Sequence, residues 1–218
     1  MSRVTLSQEA FEALTVPTLA GRMEAIEQHI RPIFRAFADK VAPLLSVWTQ
    51  EEMFVHIAKH ARRTVNPPQD TWVALAPDAR GYKKHPHFQF GLWSTHAFFW
   101  LAVIYESPSK QAFAERLLAH LPEILTLIPE TFVWSWNHME KPYVVHRDLT
   151  PSDLEKALTH ASRVKAAEVL IGRVLPKEEA LKDDVDLVSL GEKTFHTLLP
   201  LYRLSRGHED ALTTYVDR

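Results

Sequence analysis

Six basic side chains, Lys59, Arg62, Arg63, Arg80, Lys83 and Lys84, stand between residues 59 and 84, where the acidic side chains are Asp70 and Asp78. Four histidines, His56, His60, His85 and His87, fall in or beside the same stretch. Guanidinium forks and ammonium groups are the side chains that hold phosphate and carboxylate. Imidazole is the one that exchanges a proton near neutral pH. The chemistry on offer is anion binding, with acid–base work on the bound group as an extension of it. The segment from Tyr82 to Trp93 sharpens the reading, because side chains of an extended strand alternate between faces. Read as a strand, it puts Lys83, His85, His87, Gln89, Gly91 and Trp93 on one face and Tyr82, Lys84, Pro86, Phe88, Phe90 and Leu92 on the other. The second face reads as core. The expected ligand-binding set is Arg62, Arg63, Trp72, Arg80, Lys83, His85, His87, Gln89 and Trp93, with His60, His85 and His87 as candidates for a general acid or base. Trp72 and Trp93, at strand ends near the basic loop, would wall the site.

Blander readings of the same residues compete with this one. A basic row on a sheet face is also what a solvated surface looks like, and Asp70 and Asp78 could pair with it structurally. Tandem Arg62 and Arg63 in an extended segment would point opposite ways, which weakens a shared site. His56 and His60 are four apart, a ligand spacing if helical, but HIAKH lacks the glutamate of the zinc-protease motif and the spacing fails in a strand. No metal is expected. The tetrapeptide His146-Arg147-Asp148-Leu149 spells the start of a kinase catalytic loop, yet no Gly-rich loop, strand lysine motif or DFG accompanies it. Ser94, Ser135 and Ser189 have no nucleophile-elbow context.

Composition narrows the classes further. With 218 residues, 46% of them hydrophobic, the chain is long enough to bury one core, and a single domain over 1–218 is expected. The formal net charge of −2 argues against a general coat for nucleic acid or anionic membrane. There are no cysteines, so thiolate nucleophiles, disulfides and iron–sulfur clusters are excluded. Six glycines, against about 15 at average usage, leave no glycine-rich phosphate loop, and no cofactor motif is present. No run reaches the roughly 20 apolar residues of a membrane span, and the N-terminus lacks a signal-peptide pattern. The expected location is the cytoplasm.

The elements that must position the basic stretch follow from periodicity. A short helix after Ser7 ends before Pro17. Apolar residues from Met23 to Leu45 recur at helical spacing, with Pro32 expected to kink or split the helix. Met53 to Ala58 and Thr71 to Ala76 read as strands joined by an irregular loop at 62–69, and Asp78 to Gly81 as the turn of a hairpin into 82–93. Thr95 to Tyr105 is apolar on both faces, as a central strand covered twice would be. Ser107 or Ser109 would cap a helix interrupted at Pro122. Thr131 to Trp136 and Tyr143 to His146 pair as strands, and Thr150-Pro151-Ser152-Asp153 is a helix start with cap, N1 proline and third-position acid. Glu168 to Leu175 is a last strand, Lys177 to Asp186 a charged connector, and 187–202 a closing helix kinked at Pro200, followed by a fraying tail after Arg206. The class is α+β, an antiparallel or mixed sheet covered by helices.

Taken as whole motifs, HIAKHARRTVNPPQDTWVA (56–74), RGYKKHPHFQFGLW (80–93) and IGRVLPKEEA (171–180), with GRMEAIEQHIRP (21–32) and TFHTLLPLY (194–202), resemble the YktB family of Firmicutes, also called DUF1054 or UPF0637. The likeness spans nearly the whole chain. It implies an α+β fold with an antiparallel sheet, near the biotin-ligase and class II synthetase catalytic domains in some classifications, and it implies no particular activity. Three functions are therefore carried forward: a binding protein for a phosphate-bearing small molecule or nucleic-acid segment, an enzyme on such a ligand with a histidine acid or base, and a non-catalytic scaffold.

Overall fold

The computed structural model describes residues 3–212. Seven strands, β1 (Phe54–Ile57), β2 (Asp70–Ala76), β3 (His87–Trp93), β4 (His96–Val103), β5 (Val133–Ser135), β6 (Val144–Val145) and β7 (Val169–Pro176), form one antiparallel sheet in the order β1-β2-β3-β4-β7-β5-β6. Helices α1 (Gln8–Ala13), α2 (Leu19–His29), α3 (Arg31–Thr49), α4 (Lys110–Ala119), α5 (Leu121–Leu127), α6 (Pro151–Arg163), α7 (Lys177–Ala180) and α8 (Leu187–Ser205) complete an α+β architecture. No helix among the described residues is long and apolar enough to cross a membrane.

Helices and sheet share one core. Phe34 and Phe37 of α3, Phe195 and Tyr202 of α8, and Phe88, Phe90 and Phe99 of the sheet bury each other, with Phe90 stacked on Phe99 at 4.8 Å and Phe37 tilted on Phe90 at 4.6 Å. The opposite sheet face carries a second, smaller cluster of Trp93, Phe98, Trp100, Ala102, Val133 and Leu170. Both faces of β4 are therefore buried, as its unbroken apolar run requires. Segment 136–143, between β5 and β6, covers part of this second face. Lys141 lies over the Trp93 ring at 5.5 Å, and Tyr143 meets His96 at 6.0 Å.

The local signals act as chemistry demands. Pro32 sits in the first turn of α3, where its missing N–H costs nothing, and the chain breaks into two helices at Ile30. Thr150 and Asp153 close a reciprocal capping box on α6. Ser109 occupies the N-cap of α4 without a side-chain cap bond; its hydroxyl meets that of Ser107 at 3.0 Å. The connector 177–186 contains the single turn of α7, and α8 runs through Pro200 without interruption.

Two expectations fail. Strand β3 begins at His87, not Tyr82, because β2 ends at Ala76 and its ladder with β3 stops at Leu75–Phe88. Residues 82–85 instead form a turn, with the His85 N–H donating to the Tyr82 carbonyl at 3.0 Å. Pro86, which has no N–H to give a ladder, marks the boundary. The tail after Arg206 does not simply fray: a 3₁₀ turn at Glu209–Ala211 buries Ala211 and Leu212, and the rest of the tail, 213–218, lies outside the described residues.

Candidate functional site

At the β1 end of the sheet, on the face away from the helices, two hollows adjoin. One, of about 830 Å³, is lined by His56, Lys59, Asp78, Arg80, Lys83 and Lys84. The other, of about 490 Å³, is lined by Lys59, His60, Arg62, Arg63, Trp72, Lys83, Glu106 and His138. Ala58, Lys59, Tyr82 and Lys83 line both, so the hollows form one groove. Six cations and two carboxylates, Asp78 and Glu106, border it. In a chain of net charge −2 that is a local reversal of sign, the arrangement that draws anions into a cleft.

Short-range geometry builds the groove. After β1 the chain reaches His60, whose φ of 52° is left-handed, and turns so that the Arg63 N–H bonds the His60 carbonyl at 3.0 Å. The segment is thus a tight turn, not extended, and both Arg62 and Arg63 border the same hollow. Arg22 pins the following loop from α2, donating to the carbonyls of Val16 (2.7 Å) and Pro68 (2.8 Å). Tyr82 is the central post: its hydroxyl accepts the Trp72 indole N–H at 3.1 Å, and its ring meets His56 at 5.7 Å and His87 at 4.9 Å. Trp72 stands between two imidazoles, His60 at 5.6 Å and His138 at 6.2 Å.

Of the expected ligand-binding residues, Arg62, Arg63, Trp72, Arg80 and Lys83 meet at this groove. The side chains of Lys59 and Arg62 make no hydrogen bond or ion pair with the described residues. Lys83 pairs with Glu106 at 2.8 Å; burial works against its ammonium, but Glu106 outweighs that and holds it above the ordinary lysine value.

The remaining expected residues lie elsewhere. His87 and Gln89 are on the predicted face but buried, at 0% and 2% exposure, with the Tyr82 ring against His87. His87 donates Nδ1–H to the His85 carbonyl at 2.7 Å and accepts the Gln89 amide at Nε2 at 2.8 Å. Burial holds its pKa down to about 3, so a fully bonded, neutral imidazole stands where an acid or base was expected. His85 is in the turn and bonds Asp78 at 3.2 Å. Trp93 is buried in the second cluster under Lys141 rather than walling a site. His60 does border the groove, its Nε2 on the Thr71 hydroxyl at 3.1 Å, and burial followed by Arg63 and Arg31 lowers its pKa to about 4.

The described residues contain no group of three or more histidine and acidic side chains able to hold a metal. A family model described as a domain of unknown function, DUF1054, matches residues 6–202. The chain belongs to the DUF1054 family. Its relatives include UPF0637 proteins of Bacillus licheniformis, 44% identical over 94% of this chain and 98% of theirs, and of Exiguobacterium sibiricum, 45% identical over 90% and 96%. A UPF0637 protein of Bacillus thuringiensis is 43% identical over 94% and 99%.

The groove of this DUF1054 chain also contains residues that sequence reasoning did not select: Tyr82, Glu106 and His138, with Glu168 behind His138. Tyr82 was assigned to the core side of a strand that does not extend so far. His138 and Glu168 are thirty positions apart, and no local spacing joins them. They meet because segment 136–143 folds back on the sheet, where the His138 backbone N–H donates to Glu168 at 2.7 Å and its Nδ1 lies 2.8 Å from both carboxylate oxygens. Asp70, 2% exposed, sits close by with Oδ2 lacking any hydrogen-bond partner; burial raises its pKa to about 6 against the pull of His138 and Arg63.

Proposed function

We propose that the chain is a cytoplasmic binding protein for a phosphate-bearing ligand that also presents a flat ring, as a nucleotide or a nucleic-acid segment does. The observation that carries this reading is the groove itself: Lys59 and Arg62 at its rim with no hydrogen bond or ion pair to the described residues, Arg63, Arg80, Lys83 and Lys84 beside them, and Trp72 and Tyr82 in its wall. Arginine supplies the bidentate fork for a phosphate, and an aromatic face beside it accepts a base. A volume of about 490 Å³ in the inner hollow lies within the usual range for a small-molecule site.

Calorimetric titration with AMP and with a short single-stranded oligonucleotide, at two salt concentrations, tests the reading. Arg62→Glu is expected to weaken binding at least about tenfold, since one charge-assisted hydrogen bond contributes roughly 1.5–3 kcal/mol. A steep loss of oligonucleotide affinity with salt, beside a shallow one for AMP, would assign several phosphate contacts. Failure to bind either ligand, or equal affinity in Arg62→Glu, would refute it.

A further inference from the structure

His138 differs from the other histidines around the groove. His87 has both ring nitrogens occupied, His56 bonds the Asp78 carbonyl at 2.8 Å, His85 bonds the Asp78 carboxylate, and His60 bonds Thr71. His138 alone among these directs one nitrogen, Nδ1, to a buried carboxylate, and its Nε2 makes no hydrogen bond with the described residues. Glu168 is 1% exposed and is itself fixed by three N–H groups, the Nδ1–H and backbone N–H of His138 and the backbone N–H of Tyr105 at 3.3 Å. A carboxylate so held keeps the proton on Nδ1, sets the ring orientation, and stabilises the imidazolium that forms when Nε2 takes a proton. The ring borders the same hollow as Lys59, Arg62, Arg63 and Lys83.

We propose that the inner hollow hydrolyses phosphate esters, with His138 Nε2 as the general base and Glu168 as its positioning residue. The inference rests on the phosphate-binding reading and adds a reaction to it. In the step, a water oxygen bonds to phosphorus while its proton passes to Nε2. The ester P–O bond breaks with its electron pair on the leaving oxygen, which takes the proton that Nε2 received and leaves as the alcohol, so one water is consumed per ester and the imidazole is restored. The basic side chains stabilise charge on the non-bridging oxygens. Trp72, between His60 and His138, holds the organic part beside the base.

The competing view is that the Glu168–His138 pair only fastens segment 136–143 to the sheet. Release of p-nitrophenolate from bis(p-nitrophenyl) phosphate and p-nitrophenyl phosphate by the full chain separates the two. Turnover above buffer is expected for at least one ester. His138→Ala should lower kcat about 100-fold or more with KM little changed, and added imidazole should restore part of the rate. His138→Asn, whose amide nitrogen takes the place of Nδ1 and can still donate to Glu168, should keep the melting temperature of the parent yet show the same loss of kcat. Glu168→Gln should fall between parent and His138→Ala. No turnover of either ester, turnover unaffected in His138→Asn, or a loss that imidazole leaves unrestored would overturn the proposal. AMP and oligonucleotide affinity, measured calorimetrically on the same samples, identifies which reading fails. AMP or oligonucleotide bound without ester hydrolysis removes the catalytic inference alone, whereas esters untouched with neither AMP nor the oligonucleotide bound removes both.

Discussion

Asp70 is a carboxyl whose ionisation the fold resists. Its pKa rises from 3.8 in the unfolded chain to about 6 because the carboxyl is buried, and Oδ2 finds no donor. A raised carboxyl pKa means that the native state holds the proton more tightly. Stability is therefore lost as pH climbs from about 4 to about 6, and the deficit is full above that. At roughly 1.4 kcal/mol per tenfold change in proton affinity, the deficit at pH 8 has a ceiling of about 3 kcal/mol. Asp70→Asn should accordingly raise the melting temperature at pH 8, and the gain should shrink to near zero by pH 3.5. A variant that melts lower than the parent at pH 8 would mean that the carboxylate has a partner, such as a bound ligand donor, that the protein itself does not supply.

Between elements, glycine at two sheet positions sets how closely strands and side chains approach. A Cβ on Gly172 of β7 would stand 1.8 Å from the Phe99 carbonyl oxygen of β4, and one on Gly91 of β3 would meet the Phe98 ring at 2.1 Å. Backbone cannot swing aside and a ring partly can. Gly172→Ala should therefore cost more than the roughly 1–3 kcal/mol typical of overpacking, and Gly91→Ala should fall within that range and recover when Phe98 is trimmed to leucine. Urea unfolding of the two single variants and the Gly91→Ala, Phe98→Leu pair checks the order. At this scale much was legible beforehand. Proline in the first turn of α3, the capping box at Thr150, the two-faced apolar run of β4 and the hairpin of β5 with β6 each follow from local chemistry. What stayed hidden was set by partners remote in sequence. The alternation of Tyr82 to Trp93 is genuine as a pattern, but a strand also needs a neighbour, and β2 has already ended where Tyr82 begins. The His138–Glu168 pair was illegible for the same reason, since it exists only after segment 136–143 lies on the sheet. The turn at His60, which brings Arg62 and Arg63 to one hollow, depends on a left-handed histidine that no glycine or asparagine announced.

For the whole molecule, three buried imidazoles decide the response to acid. Burial lowers the pKa of His87 to about 3 and those of His60 and His96 to about 4, from 6.5. The unfolded chain binds protons below pH 6.5 that these three refuse, so each removes stability as pH falls, at up to about 1.4 kcal/mol per pH unit. Asp70 acts with the opposite sign between about 6 and 3.8. Three against one leaves a net loss, and His60, less deeply buried than His87 and His96, contributes least of the three. The urea midpoint should fall steadily between pH 6.5 and 4.5; a flat or rising midpoint would show that the buried histidines are protonated in the native state. Charge at the groove is likewise unevenly spread, with a mildly acidic chain placing six of its 25 lysines and arginines there.

Segment 136–143 spans two neighbouring regions, the groove and the second cluster, which also share Trp72. Its first part carries His138 to the rim of the groove, and its later part roofs Trp93. A guest that pushes the imidazole outward is expected to lift that roof with it, so that occupancy lowers the shelter of Trp93. In a Trp72→Phe background, which removes the indole that the guest itself would shield, collisional quenching of tryptophan emission by acrylamide should then strengthen as the groove fills.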